Sequence, residues 1–460
     1  MAGLLDTGGS ILVFLAVLLV LVVWHELGHF TTAKLFKVKV EEFGVGYPPK
    51  VFGKMFRGTE YTVNLLPLGG FVRMVGEENP QEPGSLASKS ILQRLIVLSA
   101  GSAMNAILPV ILLTGLAMAP RQVLVQPIVV GAVSDGSPAA SQGIQPGDQI
   151  MRMNDREIRG PQDLAYNLQL NAGTTVELML RREGSDGIVR APRQTFTARV
   201  PIEYPGTFDA SGIAPGGMLV TIEDVAAGSP AAAAGVQAKD VLVSVGGEPV
   251  TSTRGVQAAI ARSLDKAVSF ELKRDGQPLT LTVTPRSNPP EGQGAAGVRI
   301  AVLSNTPGEI VEQSYALPDA LGSGLQQTLD MPVMMKNFIV GGLTSTRKSG
   351  QPDTGPALTG PIGIAQVTSE VAKLGGLTGL ILLTAQLSMN LAIMNILPIP
   401  ALDGGRVVFV LLEWVRRGRR VSPQVEGYVH AAGMAVLLAL IVIISIGDIQ
   451  RIIGGGSVIR

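Results

Sequence analysis

The chain has 460 residues, 37 Lys and Arg against 36 Asp and Glu, a net charge of +1 and no cysteine. That length suggests two to four structural units, the near-neutral charge argues against a nucleic-acid binder with a broad basic face, and the lack of cysteine excludes disulfides, iron–sulfur clusters, cysteine nucleophiles and thiolate zinc sites. Charged residues make up only 16% and mean hydropathy is +0.34, while 56 Gly and 30 Pro imply a loop-rich portion, so membrane helices joined to soluble domains are expected.

The run Ile11 to Val23 carries no charge and continues into Trp24-His25-Glu26-Leu27, not into a small-residue cleavage site. It predicts a retained transmembrane helix over 10–35. The loop 36–90 contains strand-like runs with glycine breaks: Phe43-Gly44-Val45-Gly46, Glu60 to Leu65 and Gly69 to Val75. They predict hairpin elements, and an unpaired edge near Gly44 and Gly46 offers a place for an extended substrate strand. A cytosolic hairpin without substrate contact is the plainer alternative. A second span is expected over 91–118, interrupted by Ser99, Ser102 and Asn105. A third is expected over 377–397 and a fourth over 428–447, joined by the turn and basic loop 398–427. Both loops on one side carry the Lys and Arg excess, which predicts that they are cytoplasmic and that both termini and the segment 119–376 lie outside.

The segment 119–376 contains an internal repeat. Ser137-Pro138-Ala139-Ala140, Gly143-Ile144 and Asp148-x-Ile150 are echoed by Ser229-Pro230-Ala231-Ala232, Gly235-Val236 and Asp240-x-Leu242. Each copy continues into short strands, a helical stretch and further alternating strands, the pattern of a small α+β barrel. It resembles PDZ domains of bacterial envelope proteases, with copies at 122–200 and 212–303, a linker at 201–217 and a further segment at 304–376.

The chemistry is concentrated in His25-Glu26-Leu27-Gly28-His29. On a helix, residues four apart face the same way, so both imidazoles can chelate one ion. Neutral imidazole suits Zn²⁺, and Glu26 is placed to take a proton from the attacking water. The plainer reading is two core histidines with an unrelated glutamate; against it, His and Glu inside a membrane span are costly unless coordinated or paired. Two histidines leave zinc short of a protein ligand. The remaining histidine, His430, lies in the fourth span, but Asp403 in Pro398-Ile399-Pro400-Ala401-Leu402-Asp403-Gly404-Gly405 is the better candidate. The prolines preclude a regular helix there, and the glycine pair is expected to let the backbone turn sharply after the aspartate. His25, His29 and Asp403 all fall toward the same ends of their spans.

H-E-x-x-H in the first span and N-x-x-P-x-P-x-L-D-G-G after the third, with PDZ-like modules between, resemble the site-2 proteases, intramembrane zinc metalloproteases, of the regulator-of-sigma-E type. The resemblance implies a polytopic α-helical membrane protein of four spans, with two tandem α+β PDZ domains and a membrane-associated β-sheet. It implies Zn²⁺ held by His25, His29 and Asp403, Glu26 as catalytic base, and Asn390 and Asn395 lining the substrate path. Implied substrates are single-span membrane proteins of the anti-sigma-factor type, already trimmed outside by an upstream site-1 protease, and remnant signal peptides, in a bacterial inner membrane. Where such proteases often have G-P-x-x-N, this chain has Gly101-Ser102-Ala103-Met104-Asn105. A non-enzymatic PDZ scaffold with structural zinc, and a metal-ion permease, are the rival readings; neither has a use for Glu26 beside the metal.

Overall fold

The computed structural model describes residues 7–76, 81–182, 194–204, 206–216, 218–250, 253–274, 277–290, 293–304, 308–344 and 360–453. Residues 77–80 of the first loop, 183–193 of the first repeat, 205 and 217 of the expected linker, and 305–307 and 345–359 of the segment 304–376 lie outside the described residues. Two compact units form: Met1–Pro120, Ser314–Val333 and Ala357–Arg460 in one, Arg121–Gln313 and Met334–Pro356 in the other.

The first unit opens with helix α1 (Thr7–Leu35), strands β1 (Val40–Phe56) and β2 (Thr59–Met74), and helix α2 (Ile91–Met118). Helix α2 starts at a capping box in which Ser90 and Gln93 each satisfy the other's backbone N–H. The long strands β1 and β2 fold back on themselves. Residues 50–56 pair with 59–64, and residues 42–45 pair on one side with 60–63 and on the other with 70–73. The run 70–73 is therefore outermost, and Gly44 and Gly46 sit in an interior run, not at the free edge that the sequence suggests. The reason is steric. Gly44 accommodates the Phe71 ring, and Gly46 turns at φ +80° against Leu66 O.

The second unit holds the repeat. Its first copy comprises β3 (Arg121–Val125), β4 (Ile128–Val133), α3 (Pro138–Ser141), β5 (Gln149–Met153), β6 (Arg156–Glu157), α4 (Pro161–Leu170), β7 (Thr175–Arg182), β8 (Gln194–Pro201) and β9 (Ile213–Gly216). The second comprises β10 (Met218–Val225), α5 (Pro230–Ala233), β11 (Val241–Val245), β12 (Glu248–Pro249), α6 (Thr253–Arg262), β13 (Val268–Arg274), β14 (Gln277–Val283) and β15 (Val298–Ser304), followed by β16 (Glu309–Gln313). The two sheets have the same order, β8-β7-β5-β4-β9 and β14-β13-β11-β10-β15. The echoed residues make the same bonds in both. Ser137 and Ser229 cap their short helices, Arg182 forks onto Asp148, and Arg274 forks onto Asp240. The stretch 201–217 is more than a linker, because its strand β9 pairs with β4 in the first sheet; β3 instead pairs with β16.

Four helices remain: α7 (Leu317–Thr344), α8 (Pro361–Ile396), α9 (Asp403–Val415) and α10 (Pro423–Ile453). Among the described residues, α1, α2, α8 and α10 are long and apolar enough to cross a membrane. The expected third span is the second half of α8, which breaks at Gly376 (φ 54°, ψ −143°). Its first half begins at Gly360-Pro361, where the fully buried Asp448 of α10 accepts hydrogen bonds from the N–H groups of Gly360 and Gly363 at 2.9 and 2.8 Å. Asp448 thus caps α8 from another helix, and Gly360 leaves room for it: a Cβ there would lie 2.9 Å from Asp448 Oδ2. On the far side, the buried Glu413 of α9 joins Arg94 of α2 at 2.6 Å and Arg420 at 3.1 Å, which holds α9 against α2.

Candidate metal centre

Helix α1 presents His25 and His29 one turn apart, and the start of α9 brings Asp403 to them. Asp403 Oδ2 lies 3.1 Å from His25 Nε2 and 3.2 Å from His29 Nε2, and the two nitrogens are 3.2 Å apart. Helix α2 orients both rings. His29 Nδ1 lies 2.8 Å from the Val97 carbonyl oxygen, so it must donate, which leaves the lone pair on Nε2. Asn105, fully buried, places its amide 3.1 Å from His25 Nδ1, and its Oδ1 is buried without a hydrogen-bond partner among the described residues. Rotating that amide by half a turn lets Oδ1 accept from His25 Nδ1–H, pairs the oxygen and frees the His25 Nε2 lone pair. Asn105 is tied in turn to α8, where Ser388 Oγ donates to its backbone carbonyl oxygen at 2.7 Å.

Three lone-pair atoms facing one another at 3.1–3.2 Å repel unless a cation or a proton lies among them, and Asp403 Oδ2 is buried with no hydrogen-bond partner among the described residues. An ion about 2.0–2.1 Å from each would see them at angles of about 100°, close to tetrahedral, with the fourth position left open as in catalytic zinc sites. The donor set therefore fits zinc, and His25, His29 and Asp403 are the cluster of this kind among the described residues.

Close backbone approach makes this arrangement possible. At Gly28 a Cβ would sit 2.7 Å from Met104 Cγ, so the small residue inside H-E-x-x-H lets α1 lie on α2. At Gly101 a Cβ would lie 2.5 Å from His25 Nε2 and closer to His29 Nε2. Gly404 and Gly405 do not form the turn that the sequence suggests. They are the second and third residues of α9, where a Cβ would lie 2.5 Å from Ile396 O and 2.6 Å from Ile399 O respectively. Gly404 admits the end of α8 and Gly405 the loop at Ile399 and Pro400; the residue with left-handed backbone is Ala401, at φ +80°.

A cavity of about 390 Å³ opens beside the cluster, lined by His25, Glu26, His29 and Asp403, by Tyr47, and by the outermost run 70–74 of β2. Glu26 reaches toward that run, since a Cβ on Gly70 would meet Glu26 Cγ at 3.1 Å. Burial, and then the Glu26 carboxylate, push the Tyr47 phenol above its ordinary pKa, so it is a neutral donor in the cavity wall at pH 7. Asn390 and Asn395 lie on α8 outside the cavity lining, and Gln386 Nε2 donates to Asn390 Oδ1 at 2.9 Å. Tyr47, Gly70, Gly101 and Asn105 line or support the site without having been assigned to it from sequence; Gly101 and Asn105 carried a signal in the resemblance to G-P-x-x-N, and Asn105 also as a polar residue within an apolar span.

The model of peptidase family M50 matches residues 13–440. Similar proteins include the regulator of sigma-E protease RseP of Escherichia coli K12, 29% identical over 456 residues that cover 95% of this chain and 98% of that protein. The regulator of sigma E protease of Haemophilus influenzae is 29% identical over 453 residues (95% and 98%), and that of Salmonella typhi is 30% identical over 459 (95% and 98%). With the apolar helices, the β domains and a donor set suited to zinc, these matches lead to one conclusion: the chain belongs to peptidase family M50, the site-2 type of zinc metalloprotease, and is a membrane protein.

Proposed function

We propose that this protease hydrolyses peptide bonds in or near the transmembrane segment of single-span membrane proteins, with His25, His29 and Asp403 as zinc ligands and Glu26 as general base. The observation that carries the proposal is the convergence of three ligand atoms within 3.2 Å of one another in a cavity that Glu26 also lines. Zinc, when bound, supplies a Lewis acid that acidifies water and polarises a carbonyl. Glu26 takes the proton of the attacking water and returns it to the leaving amine. Asn105 and the Val97 carbonyl hold the imidazoles in one tautomer and orientation.

A membrane helix shields its scissile amides by its own hydrogen bonds, so the substrate must be held extended. The run 70–73 has no strand on its outer side among the described residues and faces the cavity, which suits strand addition; Gly44 and Gly46 support it from behind by admitting Phe71 and the turn at Leu66. Asn390 and Asn395 flank the substrate path on α8. The relatives' names support a substrate of the anti-sigma-factor type, trimmed first by an upstream protease, and remnant signal peptides are a second class. The two β domains, of PDZ type over 122–200 and 212–303 with β9 added to the first, act as a size filter or docking site outside the membrane. The Lys and Arg excess of the two loops supports a cytoplasmic position for the hairpin and the Asp403 loop, in a bacterial inner membrane.

Purified protein in proteoliposomes, given a tagged single-span substrate, should cleave it, and a zinc chelator should abolish cleavage until zinc is restored. Cleavage unaffected by the chelator would sink the proposal.

A further inference from the structure

His430 of α10 is absent from the metal cluster, yet it touches the loop that delivers Asp403. Its Nδ1 accepts a hydrogen bond from the Ala401 backbone N–H at 3.0 Å. That assigns the ring proton to Nε2, which is buried without a hydrogen-bond partner among the described residues. Ala401 is at φ +80°, a conformation that a residue with a Cβ keeps only where its surroundings impose it. The imposing contacts are visible. Phe409 of α9 packs on the imidazole with ring centroids 5.6 Å apart, and Gly433, one turn after His430, lies so close to the loop that a Cβ would meet Pro400 O at 2.7 Å. Two residues after Ala401 comes Asp403.

We infer that His430 is a positioning residue whose acceptor nitrogen holds the strained Ala401 turn and so sets Asp403 against His25 and His29. The inference rests on the proposal that Asp403 is the third ligand. Packing alone does not account for the contact, because an apolar side chain of similar volume fills the space beside Phe409 but leaves the Ala401 N–H unpaired and its φ unrestrained. Zinc–ligand distances in well-formed sites fall within about 0.2 Å of their usual values, so a loosened turn is read as weakened metal binding.

The experiment measures zinc affinity of the full-length protein in detergent by competition with a chromophoric chelator, for wild type, His430→Leu, His430→Asn, His430→Leu with Ala401→Gly, and Asp403→Asn. Loss of a group that orients a ligand costs about 10–100-fold in metal affinity, and that is the loss expected for His430→Leu. His430→Asn, whose amide oxygen can accept from Ala401 N–H, should stay within about threefold of wild type. Ala401→Gly should restore the leucine variant, because glycine adopts φ +80° without steric cost. Should the leucine variant aggregate, His430→Met, also without a nitrogen or oxygen acceptor, takes its place. Wild-type zinc affinity in the acceptor-free variant overturns the inference. So does an asparagine variant as weak as leucine with no rescue by Ala401→Gly, the pattern of a direct ligand. If Asp403→Asn keeps full zinc affinity, the ligand assignment fails instead, whatever the His430 variants do.

Discussion

Gly101→Ala tests the geometry of the metal centre with a single methyl group. The new Cβ would stand 2.5 Å from both Nε2 and Cε1 of His25 and closer to His29 Nε2. Ordinary contact is about 3.5 Å, so at least one imidazole, or the helix that carries it, must retreat by about 1 Å. That is several times the roughly 0.2 Å within which zinc–ligand distances fall in well-formed sites. Sharing a zinc-binding free energy of about 10–16 kcal/mol among four ligands gives about 2.5–4 kcal/mol each, so loss of one should weaken affinity on the order of 10²- to 10³-fold. The measurement is zinc stoichiometry by elemental analysis, with affinity by chelator competition, on purified full-length protein. Gly115→Ala is the control, because it lies on the same helix with nothing within 4 Å of its Cβ. If Gly101→Ala binds zinc as tightly as Gly115→Ala, the imidazoles are not held against α2 as described.

Three further outcomes are expected. Glu26→Gln should lower the cleavage rate by about 10²–10⁴-fold while zinc content stays unchanged; appreciable turnover would remove Glu26 as the base. Asp448→Ala leaves two buried N–H groups at the start of α8 without their acceptor, at about 1–3 kcal/mol each, and should lower the thermal midpoint, whereas Asp448→Asn, which keeps an acceptor oxygen, should lose much less. Burial raises the Asp240 pKa, but the Arg274 guanidinium and the Gln237 N–H more than offset it, so the folded value is lowered. A lowered folded pKa gives stability that is present above the unfolded value of about 3.9 and is lost as pH falls through the folded one. Acid unfolding of the second β domain should therefore set in below about pH 4, and Arg274→Leu should remove most of that dependence, as followed by its circular dichroism.

The convergence of His25, His29 and Asp403 was legible because its chemistry is local on each side. His25 and His29 share a helix face by spacing alone, and Asp403 directly follows a proline-rich turn, where irregular backbone beside apolar spans draws attention to a polar residue. What supports them was not legible, since it is contributed by chain far away. Val97 and Asn105 reach the imidazoles across 68 and 80 residues, and no periodicity in α2 marks which polar residue points inward. Glycine was ambiguous for a different reason. It reads alike whether it relieves a positive φ or admits a neighbour, and at Gly404 and Gly405 the second use applies while Ala401 takes the positive φ. In the same way, strand-like runs with glycine breaks located the hairpin strands but not their pairing, so the double partnership of residues 42–45 and the outer edge at 70–73 emerged only from the folded sheet. The strand β9 was hidden in a short run with turn-like composition, Ile213-Ala214-Pro215-Gly216.

Asp403 follows His29 by 374 residues, and the cluster joins the two ends of that interval. At a synthesis rate of about 5–20 residues per second, a ribosome needs about 20–75 s to travel from one to the other. During that time the emerging protein owns two imidazoles and a glutamate but no complete tripod, and His430, which anchors the loop, comes later still. With the proposed ligand set, the cluster is completed only when the chain through Asp403 has been made. If these residues hold the metal as proposed, the protease has no complete site until then.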